Sequence, residues 1–456
     1  RVIPCVAEGC TIGVVLLCST METIAMPCPG CESYRRLTRR RWLGSALGVA
    51  GGASFLGMLD PETLFAAPRK KDSTADSVIL LWMAGGMSHI DTFDPQPGAE
   101  VGGPFKALQT TAEGIAISEH LPRIARHFEH LSLIRSMTSN EFDHTRASYQ
   151  MHTGYVPMSG SKHSSMGSIV AKYKGRSPRD PNLPPYVSIG IDWAAGYLGP
   201  RYAPYYVGSA RDADANLRIR DALGTRRFND RLKLLNELDR HFRIRHPRSD
   251  ALAAYAHHYK AALLMMRPQT ARVFDLDDEP DALREAYGLR SAFGQGCLLA
   301  RRLVQAGVRF IELSNGGWDT HQDNFETVKR KSAELDVAFS TLIQDLIRTG
   351  LYGRTLVVLT SEFGRTPRIN GNDGRDHYPQ VWSTVIGGGG IKPGRKIGKS
   401  DHGKSVDRRP VRVGELHATL CKALGVDYTQ TNRSPEQRPF RIVKDKAARP
   451  IKELFA

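Results

Sequence analysis

The chain reads as an α/β protein of three layers, with a mainly parallel central sheet and a helical insertion. Three observations predict this. Largely apolar runs at residues 77–83 (SVILLWM), 308–313 (VRFIEL) and 355–360 (TLVVLT) suit parallel strands buried on both faces. Segments of helical periodicity at 292–306 and 335–349 lead directly into the second and third of these strands. Helix-then-strand alternation of this kind builds a parallel sheet covered on both sides.

In chain order, residues 1–67 read as a leader and 68–456 as one large domain. Thr38-Arg39-Arg40-Arg41-Trp42-Leu43-Gly44 is similar to the twin-arginine export motif, and a Gly/Ala-rich, mildly apolar stretch follows at 45–59. That is the order of a signal peptide, and Ala66-Ala67-Pro68 falls near the expected cleavage zone. The uncharged run 42–59 is interrupted by five glycines and is too short for a spanning helix, which takes about 20 mostly apolar residues. The expectation is export through the twin-arginine machinery to the periplasm or beyond, with no stable transmembrane span. Cys28-Pro29-Gly30-Cys31 has CxxC spacing but no second pair, and it precedes the export signal, so it reads as incidental. The later Cys297 and Cys421 cannot supply a disulfide framework.

After the strand at 77–83, residues 212–280 change character. They are rich in Arg, Leu, Ala and His and read as two or three helices inserted into the domain. A fourth strand is expected at 381–386. Hydrophobic residues make up 41% and charged residues 24%, enough apolar content for a sizeable core. The formal net charge of +16 predicts attraction to anions. No Lys/Arg run exceeds three, and no zinc-finger, RNP-type or basic-zipper pattern occurs, which argues against dedicated nucleic-acid binding.

The chemistry lies in what borders the strands, because ligands in such sheets bind beyond the carboxyl ends of the strands. Gly85-Gly86-Met87-Ser88-His89-Ile90-Asp91 follows the first, and Gly316-Gly317-Trp318-Asp319-Thr320-His321 the second. Ser361-Glu362-Phe363-Gly364-Arg365 follows the third, and Gly374-Arg375-Asp376-His377-Tyr378 shortly precedes the fourth. Like charges gathered at one edge repel, and a bound cation is the simplest remedy. Carboxylate with imidazole suits zinc or manganese, while carboxylate alone suits magnesium or calcium. A fifth segment, Asp143-His144-Thr145-Arg146-Ala147-Ser148, opens a helix; it would place a hydroxyl or imidazole at a positive helix end, or simply cap it.

These motifs, in this order, resemble the bacterial proteins grouped as domain of unknown function 1501, relatives of sulfatases and alkaline phosphatases. The resemblance runs over residues 39–456, with GGWDTH, TSEFGRTP and RDHYP its most specific stretches. It implies an alkaline-phosphatase-like fold holding one or two divalent metal ions (Zn, Mn, Ca or Mg). It places Asp91 like the first metal-binding aspartate, and Asp319 and His321 like an Asp and His of one metal. Glu362 stands where relatives carry a metal-binding pair; that pair is Glu-Phe here, so His377, with Asp376, would replace the missing ligand or complete the other metal. Thr145-Arg146-Ala147-Ser148 is similar to the sulfatase signature, which continues to Thr153-Gly154. Either alignment puts His144 or Phe142 at the nucleophile position, so formylglycine is not expected. Thr145 is the nearest hydroxyl, and it or a metal-bound water would attack; His144 is a base or a metal ligand, and Arg146 or Arg365 would clamp an anion.

The function implied is an exported metal-dependent hydrolase of phosphate or sulfate esters, acting on an anionic small molecule or polysaccharide. The alternative is a degenerate relative that binds an anionic polymer or a partner protein.

Overall fold

The computed structural model describes residues 5–7, 10–12, 73–219, 223–245 and 250–455. The twin-arginine motif, the apolar stretch after it, the cleavage zone and the CxxC pair lie outside the described residues. The chain divides into two units, Arg1–Asp60 and Pro61–Ala456. In the first, Cys5–Ala7 pairs antiparallel with Cys10–Ile12.

The second unit is built on one nine-stranded sheet. Its strands are β1 (Ser77–Trp82), β2 (Leu131–Thr138), β3 (Tyr186–Ile189), β4 (Tyr205–Val207), β5 (Phe310–Ser314), β6 (Thr355–Thr360), β7 (Trp382–Gly388), β8 (Lys396–Ile397) and β9 (Val411–Arg412). The spatial order is β8-β2-β7-β6-β1-β5-β3-β4, with β9 also against β2. Every pairing is parallel except the two made by β7, which runs antiparallel to β6 and β2. The fourth expected strand is therefore reversed. Its amino end lies at the carboxyl edge of the others, which is why Asp376 and His377, placed before it, reach that edge.

Side chains alternate across this sheet, as the strand period demands. Ile79, Leu81, Ile311, Leu313, Val357 and Leu359 face one core with helices α5 (Ala292–Ala306) and α6 (Asn324–Arg348). Val78, Trp82, Phe310, Leu356 and Val358 face the other, with α2 (Met166–Lys174) and α7 (Val413–Leu424). Helix α1 (His144–Thr153) places Met151 in that second core. The result is a three-layer α/β sandwich. Strands β2, β3, β4, β8 and β9 escaped the sequence reading: Arg135 breaks the apolar run of β2, and the other four are only two to four residues long. Helix α6 begins at Asn324 rather than near 335, because its charged first turns hide the one-turn spacing of Phe325 and Val328. In the 212–280 region the two long helices are α3 (Thr225–Arg245) and α4 (Asp250–Met265).

His417 of α7 is buried and donates from Nε2 to the Met151 carbonyl at 2.7 Å, which leaves Nδ1 buried beside Gly154 without a hydrogen-bond partner. Burial pushes its pKa down to about 4. The unfolded chain takes up this proton near pH 6.5, and the folded one only near 4. Stability present above pH 6.5 is therefore lost as the pH falls towards 4, by roughly 3 kcal/mol from this group. His89, lowered by burial, acts in the same direction. Denaturant unfolding at a series of pH values should show this loss, and His417→Gln should flatten it; an unchanged slope in the variant would remove His417 as the cause.

Candidate metal centre

Backbone register assembles the site. Trp82 at the end of β1 pairs with Ser314 of β5 on one side and with Thr360 of β6 on the other, so three loops leave the sheet at one level. β2 and α1 bring His144 to the same edge. Gly85 (φ +114) allows the first loop to lie against the second, since a Cβ there would collide with the backbone nitrogen of Asp319. A Cβ on Gly374 would overlap the His321 carbonyl. The start of α6 is tied to the same segment by Asp323 N–H to Asn372 O (3.1 Å) and Asn324 N–H to Asp373 O (2.9 Å). A short antiparallel pairing then sets Arg365 opposite His377.

Four side chains converge. The Asp319 Oδ1 lies 3.4 Å from His144 Nε2, 3.2 Å from His321 Nε2 and 3.4 Å from His377 Nε2. The Nε2 atoms of His321 and His377 are 2.9 Å apart. The other nitrogen of each ring is already held. His144 Nδ1 donates to Glu362 Oε1 (2.8 Å), His321 Nδ1 to Asp376 Oδ1 (2.7 Å) and His377 Nδ1 to the Phe142 carbonyl (2.7 Å). An oxygen acceptor at Nδ1 fixes the proton there, so each neutral ring presents its Nε2 lone pair to the common point. His144 Nε2 is buried with no hydrogen-bond partner.

This donor set fits a divalent ion. Ligands about 2.0–2.1 Å from a tetrahedral zinc ion sit roughly 3.3 Å from one another, which is close to the three Asp319 Oδ1–imidazole distances. His144, Asp319 and His377 offer donor atoms all within 4.8 Å of one another, and His321 adjoins them. Carboxylates and a carbonyl behind the imidazoles are the usual outer shell of such sites. Three nitrogens and one oxygen favour zinc or a similar transition ion over calcium or magnesium, which prefer oxygen.

The surrounding charges are set by the same contacts. The hydrogen bond from His144 to Glu362 raises the imidazole pKa against the opposing effect of burial. Burial pushes the Asp319 carboxyl up, but the Arg365 hydrogen bond and charge hold it below its usual range. The His321 hydrogen bond lowers Asp376, and burial lowers His377.

The structure redistributes the expected roles. Asp319, His321 and His377 come together at the carboxyl edge, and His144 lies beside them. Glu362 and Asp376 hold the Nδ1 atoms of His144 and His321, on the side of the rings away from Asp319. Asp91 is elsewhere: fully buried, its carboxylate takes Arg375 Nε (2.8 Å) and Nη2 (3.1 Å), Ser88 Oγ (2.5 Å) and Asn324 Nδ2 (2.9 Å). Its partners are protein donors, and it stands apart from the residues that gather at Asp319. Arg365 is buried with all three nitrogens engaged, on Gly85, Gly86 and Arg375 carbonyls and on Asp319, so it braces the site and does not clamp an anion. Arg146 pairs with Glu141 at 2.6 Å on the surface. Thr145 is exposed in the first turn of α1, where Asp143 caps the helix through Arg146 N–H. Arg375 was missed as a partner of Asp91, although it stands inside a quoted motif; a buried carboxylate's need for a cation was the available signal.

A family model described as "Protein of unknown function (DUF1501)" matches residues 75–455. No curated protein matches the chain. Among solved structures, Ps i-CgsB is similar with a TM-score of 0.39 at 10% identity over 76% of this chain and 72% of that one. A protein in the alkaline phosphatase superfamily from Vibrio parahaemolyticus gives 0.37 at 10%, over 87% and 75%. The PsFucS1 sulfatase from Pseudoalteromonas sp. gives 0.34 at 15%, over 77% and 68%.

Proposed function

This chain belongs to the DUF1501 family of proteins of unknown function, and from that premise we propose that it is a metal-dependent hydrolase of phosphate or sulfate esters. The observation that carries the reading is the convergence of three imidazole Nε2 atoms on Asp319 Oδ1 at the carboxyl edge of the sheet. His144, Asp319 and His377, with His321 beside them, would hold a divalent ion, which when bound would supply Lewis acidity toward an ester oxygen. Glu362, Asp376 and the Phe142 carbonyl keep the three rings in the ligating tautomer. Thr145, one residue beyond His144 in the first turn of α1, is the hydroxyl we assign as nucleophile, where helix N–H groups favour an anion. The net charge of +16 supports an anionic substrate. Residues 38–44 support export by the twin-arginine route, and among the described residues no helix is long and apolar enough to cross a membrane.

A second reading has one observation in its favour. Arg365 and Arg146, the two arginines expected to hold the anion, are both engaged with the protein itself. A site that binds metal and an anionic partner without turnover would have that appearance.

Elemental mass spectrometry on protein purified without chelators tests the centre. One transition ion per chain is expected, and none in Asp319→Ala or His377→Ala. The loaded protein then goes to a panel of phosphate and sulfate monoesters. Hydrolysis lost in Thr145→Val supports the enzyme; full metal with no hydrolysis leaves the binding role; a folded chain that takes up no metal overturns both.

A further inference from the structure

We infer that helix α3 docks the protein on an anionic lipid surface. None of the described side chains of this 21-residue helix is buried. Phe228, Leu232, Leu235 and Asp239 are half covered, and their spacing of four, three and four residues puts them on one face. The adjoining stripe, at the same kind of spacing, is Arg227, Arg231, Leu234, Leu238, Phe242 and Arg245. Leu234, Leu238 and Phe242 are 63%, 60% and 51% exposed. Leu234 and Leu238 thus form an exposed apolar pair beside the half-covered face.

Charge decides what fits that stripe. The helix carries seven Arg or Lys against three Asp or Glu, a net +4. Two of the acids are already paired within the helix, Asp230 with Lys233 (3.6 Å) and Glu237 with Arg240 (3.0 Å). Both ends of the stripe are basic and its middle is apolar. A second copy, in either orientation, would set basic ends against basic ends or basic ends beside each other along the seam. Nucleic acid would leave the leucines facing phosphate. A bilayer with acidic headgroups takes the arginines at the headgroup level and the leucines at the acyl boundary, the geometry of a helix lying in the interface.

The test is co-sedimentation of the full chain with vesicles of phosphatidylglycerol and phosphatidylcholine, or of phosphatidylcholine alone. Binding is expected only to the first and should weaken with salt. Leu234→Glu with Leu238→Glu should lower partitioning about tenfold or more. Because both leucines are exposed, circular dichroism and metal content should not change. Arg227→Glu with Arg231→Glu provides a second variant that leaves the apolar residues intact and should also lose binding. Equal partitioning of wild type and both variants would overturn the proposal. So would light scattering that finds a dimer broken by the leucine variant, or retention of the wild type by duplex DNA but not by vesicles.

Discussion

Arg375→Met is expected to destabilise the second unit by roughly 3–5 kcal/mol, because it leaves Asp91 as an uncompensated buried charge. Both side chains are fully buried and meet through two hydrogen bonds. The guanidinium also donates to the carbonyls of Val101, Thr366 and Pro367, so one side chain ties the loop after β1 to the loop after β6 at the carboxyl edge. Asp376 and His377 follow it directly in the chain, and metal affinity should fall with stability. Urea unfolding measures the first effect and chelator competition the second. Asp91→Leu combined with Arg375→Met should recover much of the loss, since a buried pair exchanged for apolar groups is often close to neutral. A single variant within about 1 kcal/mol of wild type would show that water or another cation reaches Asp91.

Glu362→Gln is expected to weaken metal binding by roughly 10–100-fold without abolishing it. Glu362 Oε1 accepts from both His144 Nδ1 and the Gly85 N–H, at 2.8 Å each, and Oε2 accepts from Ser361 Oγ at 2.9 Å. The carboxylate therefore fixes the tautomer of His144 and strengthens Nε2 as a donor. An amide keeps the oxygen but loses the charge. Asp376→Asn should act similarly through His321. Competition with a chromogenic chelator gives the affinities. Complete loss in Glu362→Gln would make the glutamate itself a ligand, and wild-type affinity would end its supporting role.

Much of the fold was legible because it rests on local signals. The runs at 77–83 and 355–360 are apolar enough to declare buried strands, and α5 shows its period from Ala292 to Ala306. What was not legible is strand direction. Nothing in the residues of β7 says that it runs against its neighbours; that follows from its register with β6 and β2.

The sequence by itself determined the fold class, the edge where the chemistry gathers and the identity of most of the groups there. Apolar run length, turn glycines and helix spacing are properties of neighbouring residues, and they need no partner to be read. Only the tertiary structure decided which of these groups meet. Asp91 and Asp319 look alike in sequence, each an aspartate shortly after a strand. A guanidinium 284 positions away occupies the first, while three imidazoles from separate segments surround the second. Glu362 became a support rather than a ligand because His144, 218 positions earlier, came between it and the common point. Electrostatic pairing acts through space, and distance along the chain does not encode it.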